Sequence, residues 1–257
     1  MPLITLTTDL GTTDPTVPIL KGYLCSKIEN LQIVDITHSI RPFHMVDCAF
    51  LLANSYQSFP LETIHIVGVE GDFARQPEFI MAKLHGHYFV TKNSGLLSLL
   101  SQSEPEWVVK LQPVNAIALK MPLVHILGKA ATDWLLTKNK DKIGQAFSGL
   151  TSVLPVEPRI VSNCIVGSII YETPYNNVLT NIHRKHVEQF SHAEKISINY
   201  GRNNYFYKIH NSYYDVEEGE AACFFNAIGL LEIGIHGGNG TNLLSLFVGG
   251  KIILEFE

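Results

Sequence analysis

The stretch Leu3-Ile4-Thr5-Leu6-Thr7-Thr8-Asp9-Leu10-Gly11-Thr12-Thr13-Asp14 decides the fold class. Its first five residues are apolar or β-branched, the composition of a short buried strand. Residues 8–14 are small and polar, which is turn chemistry. A helical pattern follows over about 17–28, with Ile19, Leu20, Tyr23 and Leu24 on one face. Residues 31–36 then read as a strand, 45–56 as a helix and 64–69 as a third strand. Strands and helices that alternate in this way require right-handed crossovers, so the expectation is a parallel sheet covered by helices. Residues 79–84 and 88–91 flank His85-Gly86-His87 and read as a hairpin on the edge of that sheet. Short helices are expected at 95–100 and within 123–136.

The pattern changes at Leu154-Pro155-Val156-Glu157-Pro158, a stiff break that sets an α/β domain at 1–155 and a second domain at 159–257. In the second, 161–171, 196–200, 205–210, 221–225, 230–235 and 251–256 read as strands. Turn signals such as Gly237-Gly238-Asn239-Gly240 separate them. Short strands at this spacing predict an all-β, barrel-like domain or a sandwich.

Of the 257 residues, 46% are hydrophobic and 17% charged, enough apolar material for a large core and too little charge for a disordered chain. A net charge of −5 argues against a dedicated nucleic-acid binder. Cys25, Cys48, Cys164 and Cys223 form no C-x-x-C pair, sit in apolar surroundings and read as buried free thiols in a reducing compartment. Met1-Pro2 runs straight into a strand, and no apolar run approaches the roughly 20 residues that span a bilayer. The chain is therefore expected to be soluble and cytoplasmic, with no membrane partner.

In a parallel sheet, ligands bind beyond the carboxyl ends of the strands. Asp9 lies there, either as a turn former or as an acceptor for both hydroxyls of a ribose. Glu70-Gly71-Asp72-Phe73-Ala74-Arg75 follows the third strand; its charges could position a water or form a solvated ion pair. Asn93-Ser94-Gly95 opens a helix, as an ordinary cap or as a cradle for an anion. His125, in an apolar run, is a satisfied core residue or a catalytic one. Glu172-Thr173-Pro174-Tyr175-Asn176-Asn177 offers a ring to stack on a base and an amide to pair with it, or is simply a turn. Asn226…Gly229…Leu231-Glu232-Ile233 gives close backbone approach to a ligand or a hairpin turn. The eleven histidines do not cluster as metal ligands, and no phosphate-binding glycine loop or serine elbow occurs.

Taken in order, these segments resemble the S-adenosyl-L-methionine (SAM) hydroxide adenosyltransferases, or SAM hydrolases, relatives of the fluorinating and chlorinating enzymes. The likeness is carried by residues 4–14, Lys21-Gly22, Ile33-Val34-Asp35-Ile36-Thr37-His38 with Arg41-Pro42, and Phe89-Val90 with Asn93-Ser94-Gly95-Leu96-Leu97. Asn177-Val178 with Thr180-Asn181-Ile182 and the Asn226–Ile233 stretch complete it. The resemblance implies a homotrimer whose sites lie between the first domain of one subunit and the second of its neighbour. It implies SAM as substrate, no cofactor or metal, and attack of water on the ribose C5′ to give adenosine and methionine. By the same likeness Asp9 grips the ribose diol and Phe43 flanks the ligand. Tyr175 and Asn177 hold adenine, Tyr213 packs against the base, and Glu172 lies near the methionine amino group. Glu70 or Asp72, Arg75 and His125 fall around the attacking water. Two departures fall at that centre. Glu70-Gly71-Asp72-Phe73 is shorter than the family's usual Asp-Pro-Gly-Val-Gly loop, and Ile126-Leu127-Gly128-Lys129 stands where Gly-Arg-Asp usually follows the histidine. A SAM- or adenosine-binding protein without turnover and a halide-using enzyme are the alternatives.

Overall fold

β1 (Leu3–Thr8) is flanked in parallel by β2 (Gln32–Thr37) and β3 (Ile64–Gly68). The computed structural model that places them describes residues 1–69, 77–112, 118–201 and 204–257, in two compact units, Met1–Leu154 and Pro155–Glu257. Among the described residues of the first unit, the sheet runs β2-β1-β3-β5-β4-β6-β7. It is completed by β4 (Phe79–Leu84), β5 (His87–Lys92), β6 (Trp107–Leu111) and β7 (Gly144–Ala146).

Only the half from β2 to β5 is parallel; β5-β4, β4-β6 and β6-β7 are antiparallel. The expected parallel sheet is thus a mixed one. A parallel partner needs a long crossover, whereas β4 and β5 are joined by His85-Gly86, with φ of 51° and 77°. Two successive positive φ values make a tight hairpin turn and force antiparallel pairing. Nor is this hairpin at the edge, because β6 and β7, absent from the sequence reading, extend the sheet beyond it.

Alternation sorts the side chains between two faces. Ile4, Leu6, Ile64, Ile66, Met81 and Val90 form one core with α1 (Thr16–Lys27), a π-helical turn at Leu123–Gly128 and the helix that continues it, Lys129–Thr137. On the other face Val67 and Val69 meet α2 (Met45–Ala53), and Ile80, Ala82 and Phe89 meet Tyr56 and Leu97 of α3 (Leu96–Leu100). That second face carries a sealed polar row. The Thr5 hydroxyl bonds His65 Nδ1 at 2.7 Å, and His65 Nε2 bonds His87 Nδ1 at 3.2 Å. His65 also stacks on Phe89, with ring centroids 4.9 Å apart. Burial first, and His87 second, pull the His65 pKa down to about 3.

The second unit is antiparallel throughout its sheet. Its strands are β8 (Arg159–Val161), β9 (Cys164–Glu172), β10 (Val178–His183), β11 (Ile196–Asn199), β12 (Tyr205–Phe206), β13 (Ala221–Phe225), β14 (Leu230–Ile235) and β15 (Lys251–Phe256). They run β12-β11-β15-β9-β10-β14-β13, with β8 on β9. A bridge between His210 and Phe224 draws β13 back toward the β12 side, so the sheet curls into a nearly closed barrel around Ile165, Val178, Ile198, Cys223, Ile233 and Leu254. The strand expected at 205–210 ends at Phe206, and β10 follows directly on the segment 172–177 read as a ligand contact or turn. Of the thiols, Cys48 and Cys223 are buried, but Cys164 is half-buried and Cys25 exposed, so the expected burial holds for two of the four. No described helix is long and apolar enough to cross a membrane.

Candidate functional site

The carboxyl ends of β1, β3 and β5 enclose a cleft of about 170 Å³. Asp9 and Leu10 line it beyond β1, Gly68 and Val69 at the end of β3, and Lys92 at the end of β5; Lys120, Met121, Pro122 and Leu123 close it from above. Gly68 lets the Leu123 side chain sit close on the sheet: a Cβ there would stand 2.6 Å from Leu123 Cδ1, which would have to shift. A larger recess of about 930 Å³ lies at the opposite, amino end of the strands, lined by Leu3, Gln32 and Thr63. That is the end where open α/β sheets do not bind ligands.

The Asp9 loop is braced from below. The His38 carbonyl accepts a hydrogen bond from Gly11 N at 2.7 Å, and His38 Nδ1 meets the Thr8 hydroxyl at 2.9 Å. Asp35 sits 3.2 Å from His38 Nε2 and accepts from Lys21 Nζ at 2.5 Å. Partial burial raises the Asp35 pKa, but the bonds from Lys21 and His38 outweigh it and hold the carboxyl below its ordinary value. The Phe43 backbone N–H donates to Asp9 Oδ2 at 3.2 Å, from a residue with φ of +67° whose side chain is exposed. Arg41 holds that segment through a bidentate pair with buried Asp47, at 2.6 and 2.9 Å.

In the second unit, one carboxylate gathers three donors. Glu232 Oε1 accepts from the Tyr213 hydroxyl at 2.8 Å and Asn177 Nδ2 at 3.3 Å, and Oε2 accepts from Asn226 Nδ2 at 3.2 Å. Burial, then the charge of Glu232, pushes the Tyr213 phenol well above its ordinary value, so it stays a donor. Asn177 is buried, whereas Tyr175 is 80% exposed on the loop before it, and Glu172 is exposed at the end of β9.

Asp9 is therefore brought to Phe43, and Asn177 to Tyr213. Asn93 has another task. It is no helix cap: Gly95, with φ of +93°, precedes α3. The Asn93 amide instead donates to the Gly149 carbonyl at 2.9 Å and accepts from Thr151 N at 2.9 Å, pinning a distant loop to the sheet edge. His125 is exposed, the outward residue of the buried turn Leu123–Gly128, and not a core histidine. Glu70, Asp72 and Arg75 lie outside the described residues. Sequence reasoning passed over Lys92, and named Glu232 within the Asn226–Ile233 stretch without giving its carboxylate a role. The signal for Lys92 was a charge closing an otherwise apolar strand, and for Glu232 a lone carboxylate within Leu231-Glu232-Ile233. Among the described residues, no set of three or more His, Cys, Asp or Glu could hold a metal ion.

Fold and cleft define a two-unit protein: a mixed α/β unit with a small cleft at the carboxyl edge of its sheet, then an antiparallel barrel-like unit. Models of the SAM hydroxide adenosyltransferase N-terminal and C-terminal domains match residues 4–144 and 167–253. The chain belongs to the SAM hydroxide adenosyltransferase family. It is 23% identical over 258 aligned positions to the (R)-S-adenosyl-L-methionine hydrolase of Methanocaldococcus jannaschii, covering 95% of this chain and 92% of that one. It is 24% identical over 241 positions to a fluorinase of Nocardia brasiliensis, covering 78% and 75%. An uncharacterized conserved protein from Thermotoga maritima shares the fold, with a TM-score of 0.84, 20% identity and 98% and 99% coverage. A conserved hypothetical protein from Thermus thermophilus does so with a TM-score of 0.78, 18% identity and full coverage of both chains.

Proposed function

We propose that this protein hydrolyses S-adenosyl-L-methionine to adenosine and L-methionine. The observation that carries the reading is the Asp9 cleft, a carboxylate held by the Phe43 N–H on the wall of a small cavity at the carboxyl edge of the sheet. A carboxylate accepts and does not donate, so it suits the two hydroxyls of a ribose. SAM brings its own leaving group. The sulfonium departs as a neutral thioether, so no acid has to protonate it and no cofactor is required. The protein must hold C5′ in line between sulfur and a water and exclude competing solvent.

In this reading Glu70 or Asp72, Arg75 and His125 surround the attacking water. His125 gains support from its turn, which also supplies Leu123 to the cleft. Tyr175, Asn177 and Tyr213 serve the adenine, Glu172 the methionine amino group, and Phe43 the flank of the ligand. Asn93 acts by fixing the sheet edge. The domain read at 1–155 is the nucleoside-binding one, the domain read at 159–257 its complement, and the active assembly a homotrimer. The proposed compartment is the cytoplasm, where four free thiols stay reduced.

The test is chromatography of purified protein incubated without halide with each sulfonium epimer of SAM, against a heat-killed control. Equal amounts of adenosine and methionine above spontaneous breakdown are the expected result. Adenosine binding with no product would reduce the protein to a binder, and a product that forms only with added halide would move it to the halogenating relatives. Light scattering tests the trimer, which a clean monomer would overturn.

A further inference from the structure

We propose that Lys92 is a further catalytic group of this reaction, its ammonium standing beside the attacking oxygen and stabilising the hydroxide form. The proposal rests on the hydrolase reading above.

Lys92 closes β5 on the same face as Tyr88 and Val90, and it is only 7% exposed. A lysine is seldom buried to this degree, because desolvating an ammonium is unfavourable. It lines the cleft that Asp9 lines. β3 lies between their strands, and its last residue, Gly68, contributes no side chain. Strands spaced about 4.8 Å apart put the β1 and β5 backbones roughly 10 Å from each other, with the Leu123 side chain seated over Gly68 between them. At about 170 Å³, the cleft is smaller than the roughly 300–1,000 Å³ that encloses a drug-sized ligand. It has room for a sugar, its 5′ carbon and a water, not for all of SAM. A cation on this wall therefore faces the reacting end of the ribose. Among the described residues, charged groups near it include Asp9 and Lys120 in the cleft, His125 on the overlying turn, and the Glu78–Lys110 pair beside Asn93. Val69 leads into the segment with Glu70, Asp72 and Arg75.

In the step itself, water gives a proton to bulk solvent. The resulting hydroxide forms the O–C5′ bond while the C5′–S bond breaks, both electrons going to sulfur, which becomes the neutral thioether of methionine. A fixed ammonium favours hydroxide over water. It also repels the sulfonium of the bound substrate, and that repulsion fades as the positive charge is lost in the transition state. Lys92 thus raises kcat without tightening SAM binding.

The experiment compares Lys92→Met and Lys92→Arg with wild type in the SAM assay from pH 5.5 to 9. The expected kcat of Lys92→Met at pH 7 is about 100-fold lower, the size of a lost electrostatic stabiliser. Its KM for SAM should be equal or lower, and the acid limb of its pH profile should move up by about one unit. Its Kd for adenosine, which has no sulfonium, should stay within about threefold, and Lys92→Arg should recover most of the rate. If Lys92→Met does not fold, Lys92→Gln against Lys92→Arg gives the same reading. Turnover by wild type with an unshifted variant profile overturns the role of Lys92 alone, as does a parallel loss of rate and adenosine binding. A wild-type protein that forms no adenosine overturns the hydrolase reading and this proposal together.

Discussion

β1, β3 and β5 carry polar side chains on both faces of one sheet, and the two faces treat them in opposite ways. On the α1 side, Thr8 and Lys92 come where their strands end, next to Asp9 and around a cleft. On the α2 side, Thr5, His65 and His87 lie further back along the strands, under Tyr56 and Phe89. A group at the end of a strand can reach a ligand and keep its charge. A group within the strand can only bond its neighbours, so His65 stays neutral and serves packing. Position along the strand, more than residue type, separates chemistry from structure in this sheet.

The largest effect should come from removing the carboxylate at the cleft. Asp9→Ala should lower kcat/KM by about 100- to 1,000-fold, since charge-assisted bonds to two hydroxyls contribute at least about 1.5 kcal/mol each, while the unfolding midpoint scarcely moves. Full turnover in that variant would break the assignment of the open face to the ligand. On the sealed face the pattern should reverse. His65→Phe strands the Thr5 hydroxyl and His87 Nδ1 and should destabilise the first unit by about 2 kcal/mol at pH 7.5, with the rate per folded molecule unchanged.

The same histidine gives a pH dependence of known sign. Its folded pKa of about 3 lies below the ordinary 6.5, so the unfolded chain binds the extra proton first. The stabilisation is complete above about pH 6.5 and drains away at about 1.4 kcal/mol per pH unit as pH falls toward 3. Urea titrations at pH 7.5, 6 and 5 should show the gap between wild type and His65→Phe narrowing; a constant gap would mean that His65 takes up protons in the fold. Smaller again is Glu232→Gln, which keeps the shape but turns one acceptor into a donor facing Asn226 or Tyr213. A loss of about 1 kcal/mol in the second unit is expected. Last comes Lys129→Ala, which removes a half-exposed pair with Asp133 one helical turn on and should change stability by about 0.3 kcal/mol.

The open face was legible in the sequence because its signals are local. The run from Leu3 to Asp14 encodes strand, turn and carboxylate in twelve residues, and the alternating pattern that follows gives β2 and β3. The sheet beyond β5 was not legible. Trp107-Val108-Val109-Lys110-Leu111 has no turn signal to pair it with β4, and that partner is more than twenty residues away. Asn93 shows the same limit at the site. Next to Gly95 it looks like a cap, and only the long-range contact with residues 149–151 gives it another role. Glu232 could be seen as a carboxylate, but its three donors come from three separate segments and meet only in the folded barrel.

Phe43 holds Asp9 from a backbone conformation, φ +67°, that bulky side chains rarely adopt and that costs on the order of 1–3 kcal/mol. Glycine would sit there without strain, so Phe43→Gly is a ready route to a hardier protein. It would also remove the exposed ring beside Asp9 and loosen the N–H that aims its carboxylate. Heat tolerance and ligand affinity therefore pull this one residue in opposite directions, and a library selected for thermostability alone should discard the ring first.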